Sequence, residues 1–306
     1  MKLKKRSLIQ IAISGIVITN CIIYYLYIIG FINWKALSIG DINPYGGWSA
    51  LKSAFTDVSY RWTGISKSIA LTIGIMVTAL LMGRFFCGFI CPIGAFQDFF
   101  KYLGIKLGIK ERKLPRGERF KPEIIKYFVL ITVLVLSILG LGNLITPYSP
   151  WLAYLNLFMG INLQIGSIVL LFIAVSSIFY KRIFCRILCP LGAFQSLLSA
   201  IGLSKINSNE KCNRCTYCLN NCPVDIEKPD EGEISPQRIR CMECVESTCI
   251  KDTKGYSLKC MGLTVGKKQY ITISLILFVG IFILLPILDS KVGPQSTVQI
   301  GNLKDG

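Results

Sequence analysis

The sequence predicts an all-α membrane protein of about five transmembrane helices, with a small α+β unit inserted toward the C-terminal end. Hydrophobic residues make up 52% of the chain and charged residues only 17%, and the mean hydropathy is +0.54. Soluble domains are about one quarter charged, so this composition indicates contact with lipid. The chain also has 13 cysteines and no histidine. The missing histidine excludes a His-ligated haem, a Rieske centre and a His-based zinc or copper site.

The net charge of +17 would also suit a protein that binds nucleic acid. However, the basic residues stand in short bursts that flank long uncharged runs, which is how membrane proteins distribute charge. We therefore predict membrane lipid as a partner and no nucleic acid.

Five apolar runs are candidates for membrane-crossing helices, each of which needs about 20 residues. The first run, 7–34, is too long for a cleaved signal peptide. The others are 68–86, two spans within the uncharged stretch 127–180, and 269–288. The loop 101–126 carries nine Lys or Arg against three acids. Because basic loops stay inside, we expect a multi-pass protein of the cytoplasmic membrane with its N-terminus inside and its C-terminus outside.

These spans divide the chain into three predicted parts. Residues 1–204 form a four-helix membrane domain, and 205–265 form a cysteine-rich unit on the cytoplasmic side. Residues 266–306 add the fifth helix and a short outer tail.

An internal repeat relates residues 84–104 to residues 182–202, with ten of 21 positions identical at a constant offset of 98. Each copy ends a span that runs from outside to inside. The copies are therefore predicted to be parallel repeats, related by an axis near the membrane normal. Such an axis would bring matching residues of the two copies together.

Each repeat contains the motif C-x3-C-P, where the two cysteines are four residues apart. On a helix their Cβ atoms are about 5–6 Å apart, while a disulfide needs about 3.5–4.5 Å. The prolines push the cysteines before them out of helical geometry and start new helices, whose apolar stripes suit a position flat beneath the membrane. We predict one four-thiolate site that holds a third iron–sulfur cluster or another thiolate-bound metal. The alternative is a set of ordinary buried thiols at a packing break. The four cysteines are Cys87, Cys91, Cys185 and Cys189.

Other polar residues of the repeat are open to two interpretations. Gln97 and Gln195 are matched, and they suit either a quinone head group or a capping and packing role. Arg84, Lys181 and Arg182 lie beside the motifs. They either extend to the membrane interface or offset the negative charge of a thiolate-bound cluster.

Two further sets of cysteines predict a pair of [4Fe–4S] clusters. The first set spells C-x2-C-x2-C-x3-C-P, the bacterial ferredoxin spacing. The second set has longer gaps after its second and third members. Because the fourth cysteine of such a run binds the other cluster, ligation is expected to be crossed. A zinc site is the alternative, but zinc knuckles use two separated pairs. One predicted cluster uses Cys212, Cys215, Cys218 and Cys260, and the other uses Cys241, Cys244, Cys249 and Cys222.

Together, the paired motifs and the two ferredoxin sets resemble membrane polyferredoxins of the NapH, NosR and CcoG type over about residues 65–265. The resemblance implies quinol oxidation or a relay of electrons to a partner redox protein. In the CcoG-like branch it implies reduction of a metal ion during oxidase assembly. The chain lacks the large flavin domain of NosR-like members, has a shorter outer tail than CcoG-like members and adds a fifth span to the NapH-like pattern, so the branch stays open.

The function expected from the sequence is one-electron transfer between the quinone pool or a cytoplasmic donor and a partner redox protein. The chain would be the electron-transfer subunit of an oxidoreductase of the quinol dehydrogenase type rather than a stand-alone enzyme, with quinone as a further candidate cofactor. One alternative is reduction of a metal ion such as copper, because soft thiolates favour Cu(I). Another is a redox-sensing membrane protein.

Overall fold

The computed structural model describes residues 5–34, 36–45, 67–112, 122–158, 165–208, 222–224, 239–246, 256–260 and 263–292. These residues are mostly helical, as predicted. A π-helical turn covers Phe86–Ile90, and 3-10 turns cover Pro122–Ile124 and Thr146–Tyr148. The α-helices are α1 (Lys5–Ile28), α2 (Ile39–Ile42), α3 (Lys67–Met82), α4 (Pro92–Lys106), α5 (Ile125–Ile138), α6 (Gly142–Ile145), α7 (Pro150–Asn156), α8 (Ile165–Phe179), α9 (Ile183–Ile187), α10 (Pro190–Ala200), α11 (Glu243–Glu246) and α12 (Lys267–Val292).

Two helices in the described part of the chain are long and apolar enough to cross a membrane. They are Arg6–Ile28 in α1 and Lys267–Leu288 in α12, with mean hydropathies of 1.9 and 2.9. Of the 18 most apolar consecutive residues of each helix, only 11% are buried within the protein. The predicted spans at 68–86 and before 181 appear as the shorter apolar helices Lys67–Met82 and Ile165–Phe179. The number of five spans stays a prediction.

Each repeat packs its helices against those of the other repeat. The helix before the second copy, α8, lies along α4 of the first copy. In the same way, α10 of the second copy lies along α3, the helix before the first copy. Around this centre, α1 packs on α4, α5 packs on α10, and α12 covers α3. Each half is therefore completed by the other half rather than by its own sequence neighbours.

Two close approaches fix the direction of α4 and α10. A Cβ atom at Gly104 would lie 2.8 Å from the Ile178 carbonyl oxygen, and one at Gly202 would lie 2.6 Å from the Leu80 carbonyl oxygen. Glycine is needed at both positions because any side chain would strike backbone. At the other end of α4, Ile93 belongs to the same apolar cluster as Leu170 of α8. Thus α4 runs beside α8 in the same direction, and the expectation that it lies flat beneath the membrane is wrong.

The cysteine-rich unit contains a three-stranded antiparallel sheet in the order β1 (Ser204–Ser208), β2 (Tyr256–Cys260), β3 (Leu263–Val265). Its buried side chains, among them Ile206 and Leu258, share one apolar cluster with Phe85, Phe89 and Tyr270 of the helical bundle. This cluster joins the sheet to the bundle. Of the predicted ferredoxin ligands, Cys222, Cys241 and Cys244 are buried, Cys260 is half-buried, and Cys212, Cys215, Cys218 and Cys249 lie outside the described residues.

Candidate functional site

The C-x3-C-P motifs form sharp breaks between helices. The π-helical turn ends at Ile90, just before Cys91, whose backbone has φ −59° and ψ 115°. Cys189 has φ −73° and ψ 110°. These extended conformations are what a following proline imposes. Pro92 and Pro190 then occupy the first positions of α4 and α10, where a missing N–H costs no hydrogen bond. The helix breaks predicted from the prolines are confirmed.

The structure brings the four motif cysteines into one buried cluster. Their exposed fractions are 5% for Cys87, 8% for Cys91, 7% for Cys185 and 9% for Cys189. Cys91 lies within electrostatic range of the other three, and all four are free thiols. Across the described residues, no three His, Cys, Asp or Glu side chains are arranged to hold a single metal ion. A cubane cluster differs in its demands, since each of its four irons takes its own thiolate.

Two glutamines connect the halves through the cysteines. Gln97 Nε2 donates a hydrogen bond to Cys185 Sγ at 3.1 Å, and Cys87 Sγ donates to Gln195 Oε1 at 3.3 Å. Gln97 is held in orientation because its Oε1 accepts a hydrogen bond from the Phe184 backbone N–H at 3.2 Å. Among the described residues, the buried Nε2 of Gln195 has no hydrogen-bond partner. Once Cys87 is a thiolate, rotation of that amide turns the Nε2 donor toward sulfur. The glutamines therefore contact thiols, and neither serves only to cap a helix.

A tyrosine outside the repeats and the cysteine motifs completes the contacts to Cys189. The Gly192 backbone N–H donates to Cys189 Sγ at 3.3 Å, and the hydroxyl of Tyr45 makes a side-chain hydrogen bond with the same cysteine. The backbone before Tyr45 is held because Ser68 Oγ donates to the Asn43 carbonyl at 3.1 Å. Tyr45 therefore approaches the cluster from the N-terminal end of α3.

A sequence signal for this contact exists in the second half of the chain. Pro44-Tyr45 stands before α3, as Pro150-Trp151 stands before α8. Trp151 is only 5% exposed, shares an apolar cluster with Cys91, Cys185 and Cys189, and stacks on Phe86 at a ring separation of 6.2 Å. Trp151 therefore packs inward from α7, in the same apolar cluster as three of the motif cysteines.

The first half of the site carries a compensated group of charges. Arg182 binds Asp98 through two nitrogens, at 2.8 and 2.6 Å, and Arg6 binds the same carboxylate at 2.7 Å. Burial by itself raises the pKa of Asp98, but the two guanidinium groups bring this pKa below its usual value. Arg182 also donates to the Cys87 carbonyl oxygen at 3.0 Å. Its backbone has φ 47°, in the left-handed region that residues other than glycine rarely adopt.

The second half has the matching arginine but a different partner set. Arg84 Nη2 lies 3.9 Å from Cys87 Sγ, and a Cβ atom at Gly192 would lie 2.8 Å from that nitrogen. Ser196 stands at the repeat position of Asp98, and it accepts a hydrogen bond from Lys126 Nζ at 3.3 Å.

Arg84 and Arg182 are 2% and 1% exposed. Neither arginine extends to the interface, and both are buried beside the thiols.

The cysteine-rich unit 205–265, the predicted ferredoxin unit, contacts the same site. Cys241, a predicted cluster ligand, packs with Ile239 against Cys87 in a small buried cluster. A Cβ atom at Gly88 would lie 3.2 Å from the Arg240 carbonyl oxygen, so the two backbones approach closely. One predicted ligand of a ferredoxin cluster, Cys241, is thus adjacent to the four-thiol site.

Comparison with known families gives this geometry a context. The model of a family described as a 4Fe-4S binding domain matches the chain twice, over residues 68–110 and 163–209. Each match contains one of the two repeats, 84–104 or 182–202. They contain the four motif cysteines and end before Cys212.

Curated relatives extend the match. An uncharacterized protein of Methanocaldococcus jannaschii is 34% identical over 198 residues, which is 63% of this chain and 80% of the relative. The ferredoxin-type protein NapH of Escherichia coli is 29% identical over 193 residues, covering 60% of this chain and 64% of NapH. The methylamine utilization ferredoxin-type protein MauN of Paracoccus denitrificans is 30% identical over 207 residues, which is 65% of this chain and 67% of MauN. The chain belongs to the NapH/NosR-type polyferredoxin family.

As a NapH/NosR-type polyferredoxin, the protein is a member of an iron–sulfur electron-transfer family. The putative electron transport protein YccM of Escherichia coli is 31% identical over 207 residues, which is 63% of this chain and 57% of YccM. No solved structure matches the chain. The resemblance predicted from the cysteine motifs is confirmed.

Proposed function

We propose that this polyferredoxin is a membrane-bound carrier of single electrons. Electrons pass between its ferredoxin unit and a partner redox protein by way of the four-thiol site, and a quinol or a cytoplasmic reductant supplies them. The observation that carries this proposal is the contact between Cys241 and Cys87. It places a ligand of a predicted ferredoxin cluster next to a motif that a 4Fe-4S family matches twice.

The apolar outer surface of the bundle supports a location in the membrane. On α8, Ile168, Leu171 and Phe172 are 68%, 64% and 65% exposed. Together with the exposed helices α1 and α12, such surfaces exceed the apolar patches that soluble monomers tolerate. The proposed arrangement is the cytoplasmic membrane with five spans, unit 205–265 inside and the C-terminus outside.

The residues at the site suit an iron–sulfur cluster. Four cysteines without histidine form a donor set for iron and sulfide. The Gly192 N–H and Gln97 amide donate to sulfur, and such donors help to set the reduction potential. Arg84 and Arg182 place positive charge beside thiolates that bring negative charge into a buried site. A bound cluster would supply storage of one electron, and the protein supplies its position and its electrostatic environment.

A count of iron tests the proposal. The anaerobically purified protein should hold about 12 irons in three [4Fe–4S] clusters, or about ten if the four-thiol site holds a dinuclear centre. The double change Cys87→Ser and Cys185→Ser should lower the count to about eight and leave the ferredoxin EPR signals in place. Cys21→Ser is the matched control, because Cys21 is a buried thiol outside the motifs. An unchanged iron count and full electron flow in the double variant would return the four cysteines to a packing role.

A further inference from the structure

The four-thiol site lies deep in the helix bundle. Where α3 and α12 meet, the Tyr270 hydroxyl donates to the Met82 carbonyl at 2.7 Å, which marks the end nearest the ferredoxin unit. Cys91 belongs to the apolar cluster of Ile75 and Leu71. At about 1.5 Å of rise per residue, these two residues lie about 10 and 16 Å beyond Met82. A depth of about 10–16 Å from that end corresponds to about half the thickness of the apolar core of a bilayer, which is about 30 Å.

Two contacts of helix α1 indicate the same depth for the four-thiol site. Arg6 pairs with Asp98 at the first turn of α1, while Ser14 Oγ lies 2.7 Å from the hydroxyl of Tyr154. Tyr154 is within electrostatic range of Cys91. Eight residues of helix, or about 12 Å, separate Arg6 from Ser14.

The site also has two opposite sides. Cys87 faces the ferredoxin unit, because it packs with Ile239 and Cys241. Cys189 makes a side-chain hydrogen bond with Tyr45, which also lies within electrostatic range of Cys91 and Cys87. The segment that carries Tyr45 lies at the far end of the bundle, since its backbone accepts hydrogen bonds from Ser68 and Thr72 in the first two turns of α3.

We infer that the four-thiol site is the middle step of an electron path across the apolar layer. The electron enters past Cys241 and Cys87, and it leaves past Cys189 and Tyr45 to a one-electron redox protein on the face opposite the ferredoxin unit. A reduced ferredoxin centre loses one electron and the acceptor gains it, and no bond is made or broken. This inference rests on the proposed function. It differs from the prediction that the helices after the motifs lie flat beneath the membrane, which would leave the four-thiol site at the inner face.

Vesicles free of quinone test the path. The purified holoprotein is reconstituted into phospholipid vesicles that contain ferricyanide, and dithionite is added outside. We expect the enclosed ferricyanide to be reduced, while protein-free vesicles keep it oxidised. Tyr45→Leu should slow this transfer about tenfold, because it removes both the ring and the hydrogen bond to Cys189. Tyr148→Leu is the matched control, since Tyr148 is an exposed tyrosine on the connector before α7.

EPR spectra of the same vesicles separate the two levels of the proposal. A four-thiol site that dithionite reduces while the enclosed ferricyanide stays oxidised would overturn the transmembrane path and leave the proposed function intact. Equal rates for wild type and Tyr45→Leu would overturn the role of Tyr45 as the exit. A site without iron would overturn the proposed function itself.

Discussion

The two halves around the four-thiol site share ten of 21 residues of the repeat, yet they surround the same motif with different charges. In the first half, Asp98 stands between Arg182 and Arg6. In the second half, the equivalent position is Ser196, which contacts Lys126 beside Arg84. The carboxylate of the second half comes instead from outside the repeat, because Glu123 pairs with Arg186 at 3.4 Å and lies within electrostatic range of Lys126.

This difference assigns separate roles to the halves. The carboxylate of the first half balances buried cations and so holds the helices together. In the second half Ser196 occupies that position, and the positive charges of Lys126 and Arg84 lie within electrostatic range of Cys189. Because charges interact strongly away from water, cations in this position favour the reduced, more negative state of a bound cluster. We expect the first half to control stability and the second half to control the reduction potential.

The largest effect is expected from Asp98→Asn. This change leaves Arg182 and Arg6 buried without their carboxylate, and breaking a buried ion pair costs about 3–5 kcal/mol. The midpoint of unfolding in detergent, followed by circular dichroism, should fall strongly. Ser196→Ala is the matched control in the other half, and it should cost about 2 kcal/mol, because it removes two hydrogen bonds of about 1 kcal/mol each, with Lys126 and with the Gly192 carbonyl oxygen. Equal losses in the two variants would contradict the division of roles.

A smaller effect, on potential rather than stability, is expected from Lys126→Met. Lys126 lies at the first turn of α5, just before the uncharged stretch, where burial and the neighbouring Arg84 lower its pKa to about 8. Loss of its positive charge should lower the potential of the four-thiol site by about 60 mV, which is tenfold in the equilibrium constant of a one-electron couple. Lys181→Met is the control, because Lys181 is paired with Glu111 at 2.7 Å.

The same lysine predicts a pH dependence. Below pH 8 the protonated ammonium stabilises the reduced site, and as pH rises through about 8 that charge is lost. The potential of the wild type, from EPR redox titrations at pH 6.5 and 9.5, should therefore fall with pH, while that of Lys126→Met should change less. A slope shared by both proteins would assign the proton to another group.

The smallest effects are expected from Gln97→Leu and Gln195→Leu. Each removes a side chain that contacts a motif cysteine of the other half. A lost hydrogen bond of about 0.5–1.5 kcal/mol corresponds to a potential lower by about 20–60 mV. Both changes should act in the same direction, because the glutamines are matched although the charges are not. Opposite shifts would show that Gln195 keeps its carbonyl toward Cys87 and does not donate to sulfur.

The cysteine motifs and the repeat predict much of the candidate site, because the rules behind them are local. A proline disfavours helix for the residue before it, and a constant offset of 98 pairs Cys87 with Cys185. The prediction that α4 lies flat beneath the membrane is wrong because an apolar stripe suits a buried helix as well as one at an interface. Tyr45 was missed because its contact with Cys189 joins distant parts of the chain, and only the shared Pro-aromatic pair hints at it. The spacing-based ligands outside the described residues stay predictions.

The exchanged packing of the repeats has a consequence for biosynthesis. The first copy alone offers two thiols, with neither the glutamine nor the arginine that its partner half provides, and α3 lacks α10, the helix that lies along it. A ribosome must therefore add about another hundred residues before the first motif meets its counterpart, and contacts of such long sequence separation form late. A nascent chain halted between the repeats should capture iron poorly, so the order of translation sets the earliest moment at which a maturation factor can deliver a cluster.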